Sequence, residues 1–369
     1  MRIGVDAREL AGRPTGVGRY LRELLVRWQA RPTCAGAELI LFSPGAIAVE
    51  AALGTGGARV SSRLVPGTPG TLWEQHALAR AVRDAKVDVL FSPAYTAPLR
   101  VSTPVVLAMH DVSFAAHPEW YAWRHGLRLR LMARWSAHRA AIVLTLTQFS
   151  AREIQEHLGV AADRLRVVPL AVDYHDAPPP PPAPPPATPV VLFVGSIFER
   201  RHLPMLIEAV ALARRTVPAL RLEVIGENRT HPRQDLQALA DRLGLADGIR
   251  LRDYVADPDL EAAYASAGVF AFLSEYEGFG LTPLEAMRHR VPTVVLDTAV
   301  AREVYGQGGR YVQLGDTMGL AQILARLVSE PVDRIAQVAA GDATVQKYRW
   351  EDATRLVWQA LVDAARQRP

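Results

Sequence analysis

A proline-rich run divides the sequence into two stretches with the same pattern of apolar and amphipathic segments. The run covers residues 178–189 and has the sequence PPPPPAPPPATP. Proline lacks a backbone N–H, so this segment favours polyproline II and spans on the order of 35 Å at about 3.1 Å per residue. We interpret it as a stiff linker in preference to a recruitment motif. The predicted order is an N-terminal domain (1–173), the linker (174–189), a C-terminal domain (190–345) and a terminal helix (346–369).

Short apolar runs alternate with longer amphipathic stretches on both sides of the linker. The runs before it are RIGVD, ELILF, VDVLFSP, PVVLAMHD, AIVLTLT and LRVVPL; those after it are VVLFVGS, LRLEVIG, GIRLRDYV, VFAFLS and PTVVLD. This alternation predicts two α/β domains, each with a doubly wound parallel sheet of the Rossmann-like type. Ligands then bind beyond the carboxyl ends of the strands. Residues 350–368 have apolar residues at helical spacing, and this amphipathic helix can pack back on the N-terminal domain.

The composition favours a soluble globular enzyme. Hydrophobic residues make up 49% of the chain and charged residues 22%. We find no run of about 18 apolar residues, and the start MRIGVDAREL carries charges where a secretory signal is apolar. A cytoplasmic location is therefore expected. The single cysteine, Cys34, excludes an intramolecular disulfide and argues against a structural zinc site built on cysteines.

Positive charge is concentrated before the linker. Residues 1–173 carry 21 Arg and Lys against 14 Asp and Glu, a net charge of +7, which leaves −3 for the remainder. All but two of the 42 basic residues are arginine, a bias that we attribute to a GC-rich genome rather than to nucleic-acid binding. Anionic lipid head groups and phosphorylated acceptors are suitable partners for such a face. The charge alone does not choose between them.

The most informative stretch is SEYEGFGLTPLEAM at residues 274–287, which joins an apolar strand to a helix through a glycine loop. Its two acids, Glu277 and Glu285, are separated by seven residues. Gly278 and Gly280 allow a tight turn and a close approach of the backbone to a ligand. The stretch therefore predicts a ligand-binding loop at the end of a strand.

Signals for a helix start follow this loop. Thr282, Pro283 and Glu285 are typical of the N-cap, N1 and N3 positions. The amides near Leu281 and Thr282 would then be suited to hold a diphosphate, because a helix N-terminus has free N–H donors and a positive dipole end. The alternative is a purely structural capping box, with Glu277 as a solvated loop acid.

Two further motifs are rich in glycine and arginine. The segment VGSIFERRHLPMLIEAVA at residues 194–211 contains Gly195 and the adjacent Arg200 and Arg201. Guanidinium groups make forked, charge-assisted bonds to phosphate, although an adjacent pair of arginines can also be a solvated surface pair. Near the N-terminus, Gly16 and Gly18 of GRPTGVGRY precede a predicted helix.

The N-terminal glycine loop does not complete the dinucleotide fingerprint GxGxxG, because Tyr20 and Leu21 follow where the third glycine should lie. A nicotinamide-dependent oxidoreductase is therefore disfavoured. His110 and Asp111 end the apolar strand PVVLAM, which puts both at the carboxyl edge of the first sheet. His110 is the stronger site candidate of the two, and a structural or merely exposed histidine is the alternative.

Together these motifs resemble the donor-site signature of family 4 glycosyltransferases. The resemblance rests on the E-x7-E pair with its GFGL loop, the basic pair in FERRH, the HDVSF segment and the GRPTGVGRY loop, and it extends through VVPLAVD at residues 167–173. The sequence departs from the family's pattern at Arg201, where lysine is usual. That change keeps the charge but alters the reach and geometry of the side chain.

The resemblance implies a GT-B fold, with two Rossmann-like domains facing across a cleft, and transfer with retention of anomeric configuration and without a metal. In the family the first acid of the pair faces the donor sugar and the second binds the ribose. The predicted catalytic residues are His110, Asp111, Glu277, Arg200 and Arg201. The predicted donor-binding residues are Gly16, Gly18, Gly195, Arg200, Arg201, Gly278, Phe279, Gly280, Leu281, Thr282 and Glu285.

We therefore expect transfer of a hexose from an NDP-sugar, of the GDP-mannose or UDP-glucose class, to a hydroxyl of a glycan or lipid-linked acceptor in envelope polysaccharide biosynthesis. The nucleotide sugar is a co-substrate, and no cofactor or essential metal is expected. Domain closure would exclude water, and front-face attack is favoured while double displacement stays open. The alternatives are a sugar-nucleotide epimerase or sugar phosphorylase of the same architecture, or a catalytically degenerate partner that binds sugar nucleotide.

Two remaining segments have competing interpretations. Residues 120–139 form a basic helix with tryptophans and leucines at positions 123, 127, 131 and 135. This apolar row either packs into the core or makes peripheral contact with an anionic membrane. Asp257 and Asp259 form a DPD sequence, which we interpret as a helix start rather than a metal-binding pair.

Overall fold

The computed structural model describes residues 1–12, 16–47, 56–172 and 188–367. Within these residues the chain forms two compact units. The first contains Met1–Leu170 together with the terminal helix Trp350–Arg366, and the second contains Ala171–Arg349. Residues 173–187, which hold most of the predicted proline-rich linker, lie outside the described residues.

The first unit is built on a parallel seven-stranded sheet. Its strands are β1 (Arg2–Asp6), β2 (Glu38–Ser43), β3 (Arg59–Leu64), β4 (Val89–Ser92), β5 (Val105–Ala108), β6 (Ile142–Thr145) and β7 (Leu165–Val167). They lie in the order β3-β2-β1-β4-β5-β6-β7, and every pairing is parallel. The strands β4, β5 and β6 are buried throughout, as expected when helices cover both faces of a sheet.

Helices connect these strands. They are α1 (Gly16–Ala30), α2 (Ala79–Ala85), α3 (Ser113–Ala116), α4 (Trp123–Arg139) and α5 (Gln148–Leu158). A π-helical turn, Trp73–Leu78, precedes α2, and short 3₁₀ turns cover Arg8–Leu10, Pro32–Cys34, Pro118–Trp120 and Ala162–Arg164. The predicted doubly wound domain is confirmed in this unit.

The second unit repeats the arrangement with a parallel six-stranded sheet. Its strands are β8 (Val190–Val194), β9 (Arg221–Ile225), β10 (Ile249–Arg252), β11 (Val269–Phe272), β12 (Thr293–Leu296) and β13 (Gly309–Val312), in the order β10-β9-β8-β11-β12-β13. Its helices are α6 (Leu203–Ala213), α7 (Leu236–Arg242), α8 (Asp257–Ser266), α9 (Leu281–Arg288), α10 (Ala299–Tyr305), α11 (Thr317–Ser329) and α12 (Pro331–Val345). Two 3₁₀ turns cover Glu199–Arg201 and Gly306–Gly308.

The terminal helix α13 (Trp350–Arg366) packs on the first unit. Its buried face contacts α1 and the strands β4, β5 and β6. The indole Nε1 of Trp28 in α1 donates a hydrogen bond to the carbonyl of Thr354 over 3.1 Å. Arg166 and Asp363 form an ion pair of 2.6 Å that links β7 to the helix. The chain therefore returns to its first unit after completing the second.

The pattern of apolar runs did not predict two of the strands, β3 and β13. Both lie at an edge of their sheet. The strand β3 has the sequence RVSSRL and is exposed along almost its whole length, and β13 has the short sequence GRYV. An edge strand is covered by fewer neighbours, so it needs no continuous apolar run and gives no strong signal in the sequence.

Each sheet has one point where the strand order reverses direction. In the first unit this point lies between β1 and β4, and in the second it lies between β8 and β11. Loops that leave the two neighbouring strands run to opposite sides there, which opens a crevice at the carboxyl ends of the strands. The predicted site motifs follow β5, β8 and β11, so they lie at the carboxyl ends of the strands in their sheets.

The helix α4 does not bury its row of large apolar residues. Trp123 is 70% exposed and Trp135 is 50% exposed, while the buried positions of the helix are Gly126, Ala133, Ser136 and Ala137. The interpretation that this row packs into the core is therefore wrong. Among the described residues, no helix combines the length and apolar character needed to cross a bilayer.

Replacement of Leu361 tests the packing of α13. The side chain is fully buried, and Leu361→Ala would leave a cavity against the first sheet. We expect the free energy of unfolding of the first unit to fall by about 2–5 kcal/mol. Urea denaturation measures this change, with the exposed residue of the same helix, Gln359→Ala, as the control. Equal stability of the two variants would contradict the packing.

Candidate active site

The loops that follow β8 and β11 bring a basic motif and an acidic motif together. Arg201 Nη2 donates a hydrogen bond to Glu277 Oε1 over 2.9 Å, in an ion pair whose side chains are 13% and 21% exposed. Ser274 Oγ donates to the same oxygen over 2.8 Å, and Arg201 Nη1 donates to the carbonyl of Ser196 over 2.7 Å. Glu277 is therefore a paired, largely buried carboxylate, and the interpretation of a solvated loop acid is wrong.

Gly195 makes the position of Arg201 possible. Its φ of 138° lies outside the range that side chains readily adopt, and a Cβ there would lie 2.5 Å from Arg201 Nη1. The guanidinium carbon also lies 4.9 Å from the centre of the Phe272 ring, at the end of β11. Glycine after β8 thus lets the arginine fold back across the loop toward β11.

The loop before α9 has a different construction from the predicted one. The helix begins at Leu281 after Gly280, which has a φ of 82° and provides no side-chain cap. The Tyr305 hydroxyl donates to the carbonyl of Gly280 over 2.9 Å, and a Cβ at Gly280 would collide with that hydroxyl. Thr282 is therefore not the N-cap, because the tyrosine and the left-handed glycine fix the loop instead.

Tyr305 is part of the same buried assembly as the ion pair. Burial raises the pKa of Tyr305 well above its usual value, and the negative charge of Glu277 raises it further. The hydroxyl therefore stays protonated, which is the state that can donate to the carbonyl of Gly280. This arrangement ties the glycine loop to α10 and limits its freedom to move.

Two buried polar atoms at this site lack hydrogen-bond partners among the described residues. They are the Nε of Arg201 and the Oγ1 of Thr282. Glu285 does not complete a capping box with Thr282, because Gly280 and not Thr282 is the N-cap, and one oxygen of its carboxylate accepts a hydrogen bond from the Tyr264 hydroxyl over 3.0 Å. Buried donors are usually satisfied in folded proteins, so these two atoms indicate where a polar ligand can bind.

Arg200 and Phe279 are fixed differently from Arg201. The guanidinium carbon of Arg200 lies 4.2 Å from the centre of the Phe198 ring, in a cation–π contact. Phe279 is only 3% exposed and packs edge-on against Tyr348, with 5.1 Å between ring centres. Phe279 can therefore meet a donor only through its backbone, although we predicted it as a donor-binding residue.

A hydrogen bond between His202 and Glu275 lies beside the ion pair of Arg201. His202 Nε2 and Glu275 Oε1 are 2.6 Å apart, and the N–H of Glu275 donates to the carbonyl of Arg200 over 3.0 Å. These contacts connect the turn Glu199–Arg201 to the loop after β11 at two points. The loops that carry Arg201 and Glu277 are thus held together independently of any ligand.

A cavity of about 450 Å³ lies beyond the carboxyl ends of β9 and β10. Its lining includes Ile197, Gly226, Asn228, Arg233, Gln234 and Asp253. Gly226 touches the backbone of Gly195, where a side chain would clash, so the cavity adjoins the loop of Arg201. We call it the β9–β10 cavity. Its mixed polar lining suits a heterocycle with several hydrogen-bonding groups.

His110 lies at the carboxyl end of β5 in the first unit. Its Nε2 is 2.8 Å from the carbonyl of Pro93. Burial lowers the pKa of His110, and the contact with Pro93 and the charges of Asp111 and Glu9 only partly oppose this shift. Because a carbonyl can only accept, Nε2 carries the proton of the neutral ring and Nδ1 is left as an acceptor.

The carboxylate of Asp111 is held by hydrogen bonds from Ser113 and Tyr95. Its Oδ1 accepts from the N–H of Ser113 over 2.8 Å and from Ser113 Oγ over 2.6 Å, and its Oδ2 accepts from the Tyr95 hydroxyl over 3.2 Å. Tyr95 has a left-handed backbone with a φ of 58°, which is unfavourable for a residue with a side chain. Such strain is typical of functional sites, so Tyr95 joins the candidate residues.

A buried charge cluster lies at the reversal point between β1 and β4. Arg8 forms ion pairs with Asp6 and Glu74, whose side chains are 3% and 1% exposed. Glu74 also accepts from Thr96 Oγ1 over 2.6 Å and from Gln75 over 2.7 Å. The cluster therefore connects the loop after β1, the π-helical turn and the loop after β4.

The glycines of the N-terminal motif belong to α1. Gly16 is the first residue of the helix, and Gly18 lies in its first turn and is buried. Residues 13–15 of the predicted loop lie outside the described residues. The prediction that both glycines precede the helix is therefore wrong.

Metal-binding geometry is found elsewhere. In the described part of the chain, Glu153, Glu156 and His157 of α5 form a group whose ligand atoms lie within 4.8 Å of one another. Glu156 is exposed and the other two are half-buried, and acidic groups on a helix surface are common without an ion. Asp257 and Asp259 lie in the first turn of α8, where their charges complement the helix dipole.

Two family models match this chain. The model of Glycosyltransferase Family 4 matches residues 14–176, and the model of Glycosyl transferases group 1 matches residues 188–330. Together they cover more than three-quarters of the sequence. The chain belongs to glycosyltransferase family 4. The site in each unit thus lies within a region that its family model covers.

Several known proteins resemble this glycosyltransferase. The O-antigen chain mannosyltransferase B of Escherichia coli is 28% identical over 290 residues, which span 75% of this chain and 74% of that protein. A crystal structure of Anabaena Alr3699/HepE with UDP and glucose is similar with a TM-score of 0.69 and 20% identity, covering 98% of this chain and 99% of that one. WaaG, a glycosyltransferase involved in lipopolysaccharide biosynthesis, is similar with a TM-score of 0.70, 14% identity and the same coverage. These structures share the GT-B fold.

Several residues that support the candidate site of this glycosyltransferase were not predicted from its sequence. Ser274 was available as a signal, because it begins the glutamate motif three residues before Glu277. Glu74 was available too, since it is an acid next to Trp73 in an amphipathic stretch. Tyr305 and Tyr95 are far from every motif, and only the fold brings them to the site.

Removal of Arg8 tests the buried charge cluster of the glycosyltransferase. Arg8→Met leaves the buried carboxylates of Asp6 and Glu74 without their cation. We expect the free energy of unfolding to fall by about 3–5 kcal/mol, measured by urea denaturation. Arg355→Met is the control, because Arg355 forms an exposed ion pair on α13 and should be nearly neutral. A loss no larger than that of the control would refute the role of Arg8.

Proposed function

We propose that this enzyme transfers a hexose from an NDP-sugar to an acceptor hydroxyl, with retention of configuration and without an essential metal. The observation that carries the proposal is the pairing of Arg201 with Glu277 at the strand reversal of the second unit, beside two buried donors without partners. A diphosphate would satisfy both donors. The resemblance to retaining enzymes of the family supports the stereochemistry.

The leaving group is the part of the reaction that these residues serve best. As the bond from the anomeric carbon to the donor oxygen breaks, negative charge collects on the diphosphate. Arg201 has its Nε free of partners in the described residues, Thr282 adds a hydroxyl, and the first amides of α9 add a positive dipole end. Such fixed donors lower the barrier because they need no reorganisation during the reaction. Arg201 would thereby neutralise the charge on the leaving diphosphate, a role that a bound metal ion can also fill.

Glu277 would orient the donor sugar in this scheme. Both hydrogen bonds that the described residues give to its carboxylate end on Oε1, from Arg201 and from Ser274. Oε2 can then accept from a sugar hydroxyl. A carboxylate restrained in this way is a poor covalent nucleophile, which favours front-face attack. The acceptor proton then moves to the departing diphosphate oxygen as the new glycosidic bond forms, so charge and atoms balance.

The β9–β10 cavity would hold the nucleoside. It adjoins the loop of Gly195 and Arg201, so a base in the cavity leaves the diphosphate beside Arg201. Glu285 would bind the ribose, as the family resemblance implies. The mannosyltransferase relative and the neighbour bound to UDP and glucose make GDP-mannose and UDP-glucose the first donors to test. We propose an acceptor in envelope glycan synthesis and a cytoplasmic location.

His110 would contact the substrate through Nδ1. Its Nε2 is engaged by Pro93, and Asp111 is fixed by Tyr95 and Ser113, so the pair forms a rigid edge at the end of β5. Nδ1 can accept a hydrogen bond from a sugar hydroxyl only while the ring is neutral. Orientation, rather than proton transfer, is therefore its proposed contribution.

Replacement of Glu277 tests the donor site. Glu277→Gln keeps the shape of the side chain but removes the negative charge that orients the sugar and pairs with Arg201. We expect kcat to fall by about 100-fold with a smaller effect on donor binding, measured by product formation and by the donor-induced shift in Tm. Glu261→Gln on α8 is the control, because this exposed acid lies outside the site. A near-normal rate for the Glu277 variant would contradict the assignment of Glu277 to the donor site.

Product analysis separates the rival reactions in the same assay. An α-linked product from an α-linked donor, identified by its NMR coupling constants, supports retention, and an inverted product contradicts it. Epimerised donor, or turnover that requires inorganic phosphate, would indicate an epimerase or a phosphorylase. Donor binding without any product would indicate a catalytically degenerate partner. Full activity in the presence of a chelator is expected, and loss that added Mg²⁺ restores would contradict the metal-free proposal.

The pH profile tests His110. Because burial lowers its pKa from the usual value of about 6.5, the ring is neutral at pH 7 and above. We expect kcat/KM to be level from about pH 7 to pH 8 and to fall only below about pH 6.5, since protonation fills Nδ1. The acid limb should be absent in His110→Gln, whose residual rate is lower but level. An unchanged acid limb in that variant would assign it to another group.

A further inference from the structure

The helix α4 presents a row of large apolar side chains to solvent. The row consists of Trp123, Leu127, Leu131 and Trp135, which are 70%, 43%, 40% and 50% exposed. At a spacing of four residues they lie along one side of the helix and extend over about 18 Å at 1.5 Å per residue. We call these four residues the docking row. Exposure of two tryptophans and two leucines on one helix is unusual for a surface that faces only water.

The packing of α4 explains why this row is not needed in the core. The helix lies on its unit through small residues, Gly126, Ala133, Ser136 and Ala137, which are all buried. Small side chains bring the helix backbone close to its neighbours and leave no room for bulkier ones. The docking row is therefore a separate surface, and the stability of the first unit does not account for it.

The charged residues of α4 itself are all of one sign. The helix contains Arg124, Arg128, Arg130, Arg134 and Arg139 and no acidic residue. On a helical projection Arg124 and Arg128 follow one border of the row, and Arg130 and Arg134 follow the other. The guanidinium carbon of Arg124 lies 5.1 Å from the centre of the Trp123 ring, so aromatic and cationic groups are already in contact.

We propose that α4 docks the protein on an anionic lipid bilayer, with the docking row inserted among the acyl chains nearest the surface. Tryptophan favours the boundary between hydrocarbon and water, and arginine beside it meets lipid phosphate. Each basic residue near an anionic surface adds about 1 kcal/mol, a factor of about five in partitioning. A second copy of the chain is a poor occupant, because a two-fold contact would set arginines against arginines.

The docking helix is directly linked to the candidate site of the first unit. Tyr121, two residues before α4, has its hydroxyl 2.7 Å from Ser113 Oγ, and Ser113 Oγ donates to Asp111 over 2.6 Å. A bilayer under α4 would therefore lie close to the segment that carries His110 and Asp111. This step rests on the proposed function: the acceptor hydroxyl would belong to a lipid-anchored molecule.

Vesicle sedimentation tests the docking. The full chain is mixed with vesicles of phosphatidylcholine alone and with vesicles of phosphatidylcholine and phosphatidylglycerol in a two-to-one ratio. We expect binding to the anionic vesicles that weakens as salt is added, and little binding to the neutral ones. Trp123→Ser with Trp135→Ser should lower the partition coefficient at least about tenfold. Replacement of Arg124, Arg128, Arg130 and Arg134 by Gln should remove the preference for anionic lipid.

The control removes two exposed apolar residues from another helix. Val332 and Ile335 of α12 are 78% and 53% exposed, and Val332→Ser with Ile335→Ser should leave vesicle binding unchanged. Equal loss in both double variants, or no binding by the unaltered chain, would overturn the proposal. A dimer that becomes monomeric in the tryptophan variant, measured by light scattering without lipid, would also overturn it in favour of self-association.

Failure of the docking and failure of the proposed function can be told apart. The tryptophan variant should keep the donor-induced rise in Tm and its rate on a soluble acceptor in the absence of vesicles, which also shows that it is folded. Its rate on a lipid-anchored acceptor in anionic vesicles should fall with the loss of binding. Vesicle binding by a chain that transfers no sugar would leave the docking intact and refute the enzyme assignment.

Discussion

The candidate donor site depends on one guanidinium group. Arg201 holds the carbonyl of Ser196 on its own loop and the carboxylate of Glu277 on the loop after β11, and Gly195 must lack a side chain for this geometry to exist. The two loops leave neighbouring strands at the reversal of the sheet, which is where ligands bind in sheets of this type. A charge placed there is screened from water on most sides but open to a ligand. The arginine therefore links the two loops, and its position is the basis of the anion site that we propose.

The sequence predicted the interior of the fold far better than its borders. Strands such as β4 and β11 are buried on both faces, so their continuous apolar runs follow directly from their surroundings. The edge strands β3 and β13 need no such run, and the pattern missed them. The start of α9 was misjudged for a related reason. Thr282 and Glu285 fit the local rule for a cap, but Tyr305, which is distant in sequence, fixes Gly280 by a contact that no local pattern contains.

The helix α4 shows how an amphipathic pattern can be assigned to the wrong face. Large apolar residues at four-residue spacing usually mark the buried side, yet here Gly126, Ala133 and Ala137 are the buried positions. Small residues contribute little to a hydrophobic pattern but allow the closest approach of a helix to its sheet. Periodicity alone could not separate the two faces of α4. Membrane contact, the alternative to core packing, was indicated only by the arginines that border the row and by the absence of acidic residues in the helix.

The two charge clusters differ in a way that separates structural from functional roles. Around Arg8, the carboxylates of Asp6 and Glu74 are nearly inaccessible and take up hydrogen bonds from Arg8, Thr96 and Gln75, so the cluster is complete without a ligand. Around Arg201, the carboxylate of Glu277 is more exposed than those of Asp6 and Glu74, and the buried Nε of Arg201 has no partner among the described residues. The cluster around Arg8 gains nothing from an added anion, because it already holds two carboxylates against that single cation. A phosphate oxygen would satisfy the buried donor of the Arg201 cluster, and that difference, rather than the number of charges, is why we propose ligand binding at the loop between β8 and α6.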